Sequence, residues 1–154
     1  MPELKIGTKA PDFSLIASDG NTYTLKQFRG KKIILYFYPE DDTETCTKQA
    51  CSFRDGYAEL KNTGAVLLGV SPDDEHSHQK FEKKYRLNFP ILSDTDRSII
   101  KAYGVWSEKT MFGRSYMGVL RTTFIINEKG MISHVFARVR VKGQIDKILN
   151  ALEV

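Results

Sequence analysis

The sequence predicts an α/β fold: a mixed central sheet with helices on both faces and a β-hairpin near the N-terminus. Three observations carry that expectation. Residues 33–38 and 65–70 are short, continuously apolar runs, the pattern of buried strands. Each is followed by a segment whose apolar residues recur at helical spacing, the β-α-β order of layered α/β proteins. Residues 121–126 and 131–140 flank Asn127-Glu128-Lys129-Gly130, which reads as a turn between paired strands.

Residues 13–16 and 23–25 flank the turn residues Ser18-Asp19-Gly20-Asn21 and predict the N-terminal hairpin. Gly30 marks a break, and residues 33–38 follow as a central strand. Pro39 ends that strand because proline cannot donate to a ladder. Ala50, Phe53, Tyr57 and Leu60 recur at three and four, which predicts a helix over 44–62 stopped by Gly64. After the strand at 65–70, Ser71 is the expected N-cap and Pro72 the first residue of a helix reaching about Tyr85. Residues 89–92 form a short strand. Asp94 or Thr95 caps a helix running to Tyr103, with Gly104 at its end. Residues 105–119 read as a long loop. The last helix spans 143–152, with Ile145, Ile148, Leu149 and Leu152 on one face.

A length of 154 residues predicts one domain over 1–154 with a core that needs no staples. The net charge of 23 − 19 = +4 is mild. Its cations fall in separate patches, Lys31-Lys32, Lys83-Lys84-Arg86 and Arg138-Val139-Arg140, which read as solvated faces rather than a nucleic-acid stripe. Residues 1–5 are polar with no apolar run after them, and no stretch is long enough to span a bilayer. These features predict a cytoplasmic protein.

The two cysteines, Cys46 and Cys51, stand five positions apart on the helix after Pro39. A thiol in the first turn faces the positive end of the helix dipole, which favours the thiolate. Positions i and i+5 of an intact helix put the Cα atoms about 8.7 Å apart, beyond disulfide reach. A Cys46–Cys51 bond therefore requires the first turns to unwind. Other readings stand beside a redox pair: two inert apolar residues, metal ligands with His76 and His78, or a structural disulfide. The three histidines read as surface residues. Thr43 reads as an N-cap whose hydroxyl also reaches the thiolate or a bound oxygen. Arg121 opens an apolar strand, either as a snorkelling edge residue or as a cation beside the thiolate.

Several motifs in order resemble those of the peroxiredoxins, and more narrowly the bacterioferritin comigratory protein or peroxiredoxin Q group. They are Gly7-Thr8-Lys9-Ala10-Pro11-Asp12-Phe13, the P-x-x-x-T-x-x-C pattern of Pro39, Thr43 and Cys46, and Cys51-Ser52-Phe53-Arg54-Asp55 at C-x₄-C spacing. Tyr103-Gly104-Val105-Trp106 and Tyr116 to Ile125, around Arg121, complete the set. The resemblance covers nearly the whole chain.

It implies a thioredoxin-like fold and a peroxidase that reduces hydrogen peroxide and organic hydroperoxides. Cys46 would be the peroxidatic cysteine, Cys51 the resolving cysteine, and Pro39, Thr43 and Arg121 the rest of the site. Thioredoxin or a glutaredoxin would be the reductant, with no cofactor or metal. A monomer is expected. The chain departs from the group at Glu44-Thr45, where Pro-Gly is common, and at Gln49, where Glu is common. Two alternatives use the same fold: a thiol–disulfide oxidoreductase, which favours C-x-x-C, and a peroxide sensor. The apolar residues of 105–119 read as a substrate pocket, core or a dimer face.

Overall fold

The computed structural model describes residues 4–153. Residues 1–3 of the polar start lie outside that range. At its centre is β3 (Ile33–Phe37), five consecutive residues that are all buried. Its side chains alternate between two cores, as strand geometry requires. Ile33, Leu35 and Phe37 enter one cluster, and Ile34, Tyr36 and the following Tyr38 enter the other.

The remaining strands build outwards from β3. β4 (Val66–Ser71) lies parallel to it, with Leu35 opposite Leu68, and β5 (Ile91–Ser93) lies parallel to β4. On the other side β8 (Thr122–Ile126) is antiparallel, with Leu35 opposite Phe124, and β9 (Ile132–Phe136) follows antiparallel to β8. The five-stranded order is β5-β4-β3-β8-β9, a mixed sheet. β1 (Ser14–Ile16) and β2 (Thr22–Thr24) form the expected N-terminal hairpin.

Helices cover both faces, unequally. α1 (Glu44–Asn62), α2 (Glu75–Tyr85) and α4 (Gln144–Leu152) pack Phe53, Leu60, Phe81 and Ile148 onto the Tyr36 face. α3 (Ser98–Ala102) and the segment around Phe13 cover the Phe37 face with Ile100 and Tyr103. No helix among the described residues is long and apolar enough to cross a membrane.

Four expectations need correction. Ser71 ends β4 and does not cap α2; Asp74 does, accepting from Ser77 N at 2.8 Å. Ser71 instead donates its hydroxyl to Asp73 Oδ2. α3 begins later than read, after Arg97 in the left-handed region, although Asp94 Oδ2 still accepts from Ile100 N. Residues 105–119 are not a loop. They form a ribbon of β6 (Trp106–Met111) and β7 (Arg114–Val119), closed by Phe112 and Gly113 at φ of 51° and 76°. A two-residue turn of that kind needs positive φ at both positions, and Gly113 supplies one without cost. The ribbon was illegible because much of it faces solvent and shows no clean alternation. Lastly, β9 stops at Phe136. Arg138 turns left-handed at φ 51° and Val139 N donates to Arg121 O at 3.0 Å.

Candidate active site

The site begins where β3 runs out. Tyr38 N still donates to Val70 O at 3.0 Å, and Pro39 then ends the ladder. The loop that follows is tied down by Asp41. Its carboxylate accepts from the Tyr38 hydroxyl at 2.6 Å and the Ser77 hydroxyl at 2.8 Å. His78 Nδ1 lies 2.6 Å from the same carboxylate, and His78 Nε2 meets Leu92 O at 2.9 Å. The Asp41 amide donates to Asp73 Oδ2 at 2.8 Å. Burial is the main influence raising the Asp73 carboxyl above its ordinary range. Asp42, left-handed at φ 59°, accepts from Lys84 Nζ and the Tyr85 hydroxyl on α2. Those two bonds, Lys84 first, hold its carboxyl below the usual range.

His78 corrects the surface reading of the histidines: it is fully buried. The signal lay in its spacing from Phe81, since i and i+3 share a helix face. Nor do Cys46 and Cys51 gather with His76 and His78 as metal ligands. The one cluster of that type among the described residues is Asp41, Asp73 and His78, and hydrogen bonds already occupy it.

α1 starts at Glu44, so Cys46 is its third residue, 2% exposed and facing the sheet. Arg121, just before β8, donates from Nη2 to Cys46 Sγ at 3.1 Å. Its Nη1 donates to Gln49 Oε1 at 2.5 Å. Gln49 stands three residues after Cys46, on the same side of α1. Arginine only donates, so Gln49 must present its oxygen to it and turn its amide nitrogen away. That nitrogen donates to Gln144 Oε1 at 3.2 Å, and Gln144 Nε2 returns to Gln49 O at 3.3 Å. Both glutamines are buried, at 0% and 2% exposure. Nothing in the sequence pointed to Gln144, because the two glutamines lie far apart along the chain.

The site therefore places a guanidinium and a helix N-terminus beside one buried thiol. Both favour a thiolate and any negative charge that develops next to it. A second cation stands near: burial lowers the Lys109 ammonium, and the neighbouring Arg121 charge lowers it further. β6 brings Lys109 there, and the loop reading of 105–119 hid it.

A model of the AhpC/TSA family matches residues 6–135. The chain belongs to the AhpC/TSA family. Peroxiredoxin Bcp of Bacillus subtilis is 41% identical over 150 residues, covering 97% of this chain and 96% of the relative. Peroxiredoxin Bcp of Escherichia coli is 41% identical over 153 residues, covering 99% and 98%. Among solved structures, a PrxQ mutant of Xylella fastidiosa superimposes with a TM-score of 0.92 at 30% identity, over 99% of this chain and 98% of that one. The Xanthomonas campestris bacterioferritin comigratory protein, described with alkyl peroxide reduction activity, gives 0.89 at 33% identity over 97% and 98%. The mixed sheet is thus the thioredoxin-type fold of peroxiredoxins.

Set against this AhpC/TSA framework, the residues singled out by sequence fall into two groups. Cys46 and Arg121 are in direct contact. Cys51 lies five residues on in the same helix, half-buried, and both thiols are free. Pro39 is half-buried at the end of β3. Thr43 occupies the N-cap position but makes no capping bond; its hydroxyl donates to Glu40 O at 3.1 Å. Glu44, which adds charge near the thiol, points outward at 83% side-chain exposure and pairs with Lys48 at 3.1 Å. Gln49 is part of the site through Arg121.

Proposed function

We propose that this chain is a single-domain thiol-dependent peroxidase in which Cys46 is the peroxidatic residue. The observation that carries the reading is the Arg121 guanidinium 3.1 Å from a buried Sγ in the first turn of α1. The ionised sulfur attacks one peroxide oxygen. An S–O bond forms, the O–O bond breaks, and its electron pair leaves with the distal oxygen, which takes a proton to become water or an alcohol. Charge growing on that oxygen is met by Arg121, and by the Thr43 hydroxyl once it rotates from the Glu40 carbonyl toward the sulfur, as in an oxyanion hole. Pro39 shields the sulfur from bulk water.

Cys46 is left as a sulfenic acid. The Cys51 thiolate attacks that sulfur, an S–S bond forms, and the hydroxyl leaves with a proton as water. This step needs α1 to open from its N-terminus, because an intact helix separates the two thiols. An external dithiol, thioredoxin or a glutaredoxin, then reduces the disulfide by exchange. The electrons balance without a metal or flavin. The chain acts as a cytoplasmic monomer with peroxides as its substrates.

The test is peroxide consumption by purified protein with thioredoxin, thioredoxin reductase and NADPH, alongside Cys46→Ser. Turnover by the native chain and none by the variant is expected. Turnover that survives Cys46→Ser would overturn the assignment. One sulfenic acid per chain without turnover would point to a different reductant or to a sensor.

A further inference from the structure

We propose that the cavity between the end of β9 and the start of α4 is a binding site for a small oxyanion, of the phosphate or carboxylate class. The cavity holds about 200 Å³. Arg138, Arg140 and Lys147 line it, and no acidic residue does. Among the described residues, none of these three cations forms an ion pair. Three unpaired cations around one hollow repel each other, and an anion between them relieves that repulsion.

A second observation is independent of charge. Thr123, on the same wall, is fully buried, and its hydroxyl has no hydrogen-bond partner. A buried hydroxyl is nearly always satisfied, and leaving one unmet forfeits the hydrogen bond it would make in water. An oxyanion in the cavity supplies the missing acceptor. The backbone is arranged to the same end. α4 opens at Gly143, φ 80°, with no side-chain cap, so its first-turn amides have no side-chain acceptor of their own. Asp146, the acid of that turn, is exposed and is not part of the cavity wall. Arg138 takes its left-handed conformation at the point where the chain leaves β9 to form the wall.

The cavity also touches the thiol site. Gln144 is on the wall and bonds to Gln49, which bonds to Arg121. Val139, on the same wall, donates its amide to Arg121 O. An anion there is held within two residues of the guanidinium that faces Cys46. The two sources of such an anion are a free inorganic oxyanion and the charged group of an acidic hydroperoxide.

The experiment titrates inorganic phosphate into the full chain, followed by calorimetry and by amide NMR shifts, with chloride at matched ionic strength as control. Saturable binding of one phosphate per chain is expected, with shifts at Thr123, Gly143 and Gln144. Arg138→Gln combined with Arg140→Gln changes two exposed residues and is expected to abolish it. Thr123→Val, which removes only the hydroxyl, is expected to weaken it about tenfold. No saturation beyond the chloride control, or equal binding by the double variant, would overturn the site. This readout needs no peroxidase activity, so its failure is separate from failure of the catalytic reading. Rates with a neutral alkyl hydroperoxide and a carboxylate-bearing one then separate the sources. Competition by phosphate against the acidic substrate alone assigns the cavity to the substrate's charged group. Phosphate binding that alters neither rate assigns it to a free oxyanion.

Discussion

The chain on the two sides of Thr43 is held in opposite ways. Upstream, Asp41 binds Tyr38, Ser77, His78 and Asp73, and Asp42 binds Lys84 and Tyr85. That loop is fastened to α2 and, through His78 Nε2, to β5. Downstream, the first turns of α1 have an N-cap residue that does not cap, an exposed Glu44–Lys48 pair, and a buried Thr47 hydroxyl without a partner. Exposed i,i+4 pairs contribute only about 0.3–0.5 kcal/mol. The difference locates the hinge. If α1 opens so that Cys46 and Cys51 meet, it opens from Thr43 onward, while the loop before it stays in place. The force resisting that opening comes from inside, through Arg121, Gln49 and Gln144.

The hardest way to break this comparison is to remove the thiols one at a time. Cys46→Ser is expected to abolish peroxide consumption. Cys51→Ser is expected to form one sulfenic acid per chain, trapped by a dimedone-type reagent, and to lose thioredoxin-linked turnover. Robust turnover by the second variant would mean that α1 need not open toward Cys51 at all. Next in size is Arg121→Met, which removes the guanidinium but keeps much of the apolar stem. The peroxide rate should fall about a hundredfold or more, as when an oxyanion-type donor is lost. An unchanged rate measured by stopped flow would leave Arg121 a purely structural role.

Local pattern made the fastened and unfastened halves unequally legible. The apolar run of β3, the break at Pro39 and the periodicity of α1 are short-range signals, and they placed Cys46 in a first turn correctly. Arg121 stood out because a charge bordered an apolar strand. The anchor did not stand out, because it is made of pairs distant in sequence. Asp41 meets His78 across 37 positions and Gln49 meets Gln144 across 95. Polar residues of that kind look like surface until the fold brings their partners in. The β6–β7 ribbon was missed for the opposite reason: with so little of it buried, composition there follows solvent rather than strand geometry.

The anchor itself can be broken at His78. His78→Leu leaves the Asp41 carboxylate without its buried imidazole partner, 2.6 Å away. Removing one member of a buried pair costs about 3 kcal/mol, or about 10 °C in Tm for a chain of this size. Amide hydrogen exchange should then rise at residues 40–43 toward the level of the first turns of α1. Exchange confined to α1 as before would show that the loop is held without the Asp41–His78 contact.

The finest adjustment is Asp73→Asn, which keeps the anchor and removes only a charge. The amide oxygen can still accept from Asp41 N and the Ser71 hydroxyl, which both use a single carboxylate oxygen in the native chain. The Asp73 carboxyl lies above its ordinary 3.8, chiefly through burial, and the nearby Asp41 charge adds to the shift. A carboxyl raised on folding binds its proton more tightly in the native state. Native stability is therefore lost at this residue as pH rises from the ordinary value through the raised one, and is regained on acidification. The asparagine variant does not titrate there. It should melt above the native chain at neutral pH, and the gap should close as the pH falls toward the ordinary carboxyl range. A gap that widens in acid would mean that the Asp73 charge strengthens the anchor instead of straining it.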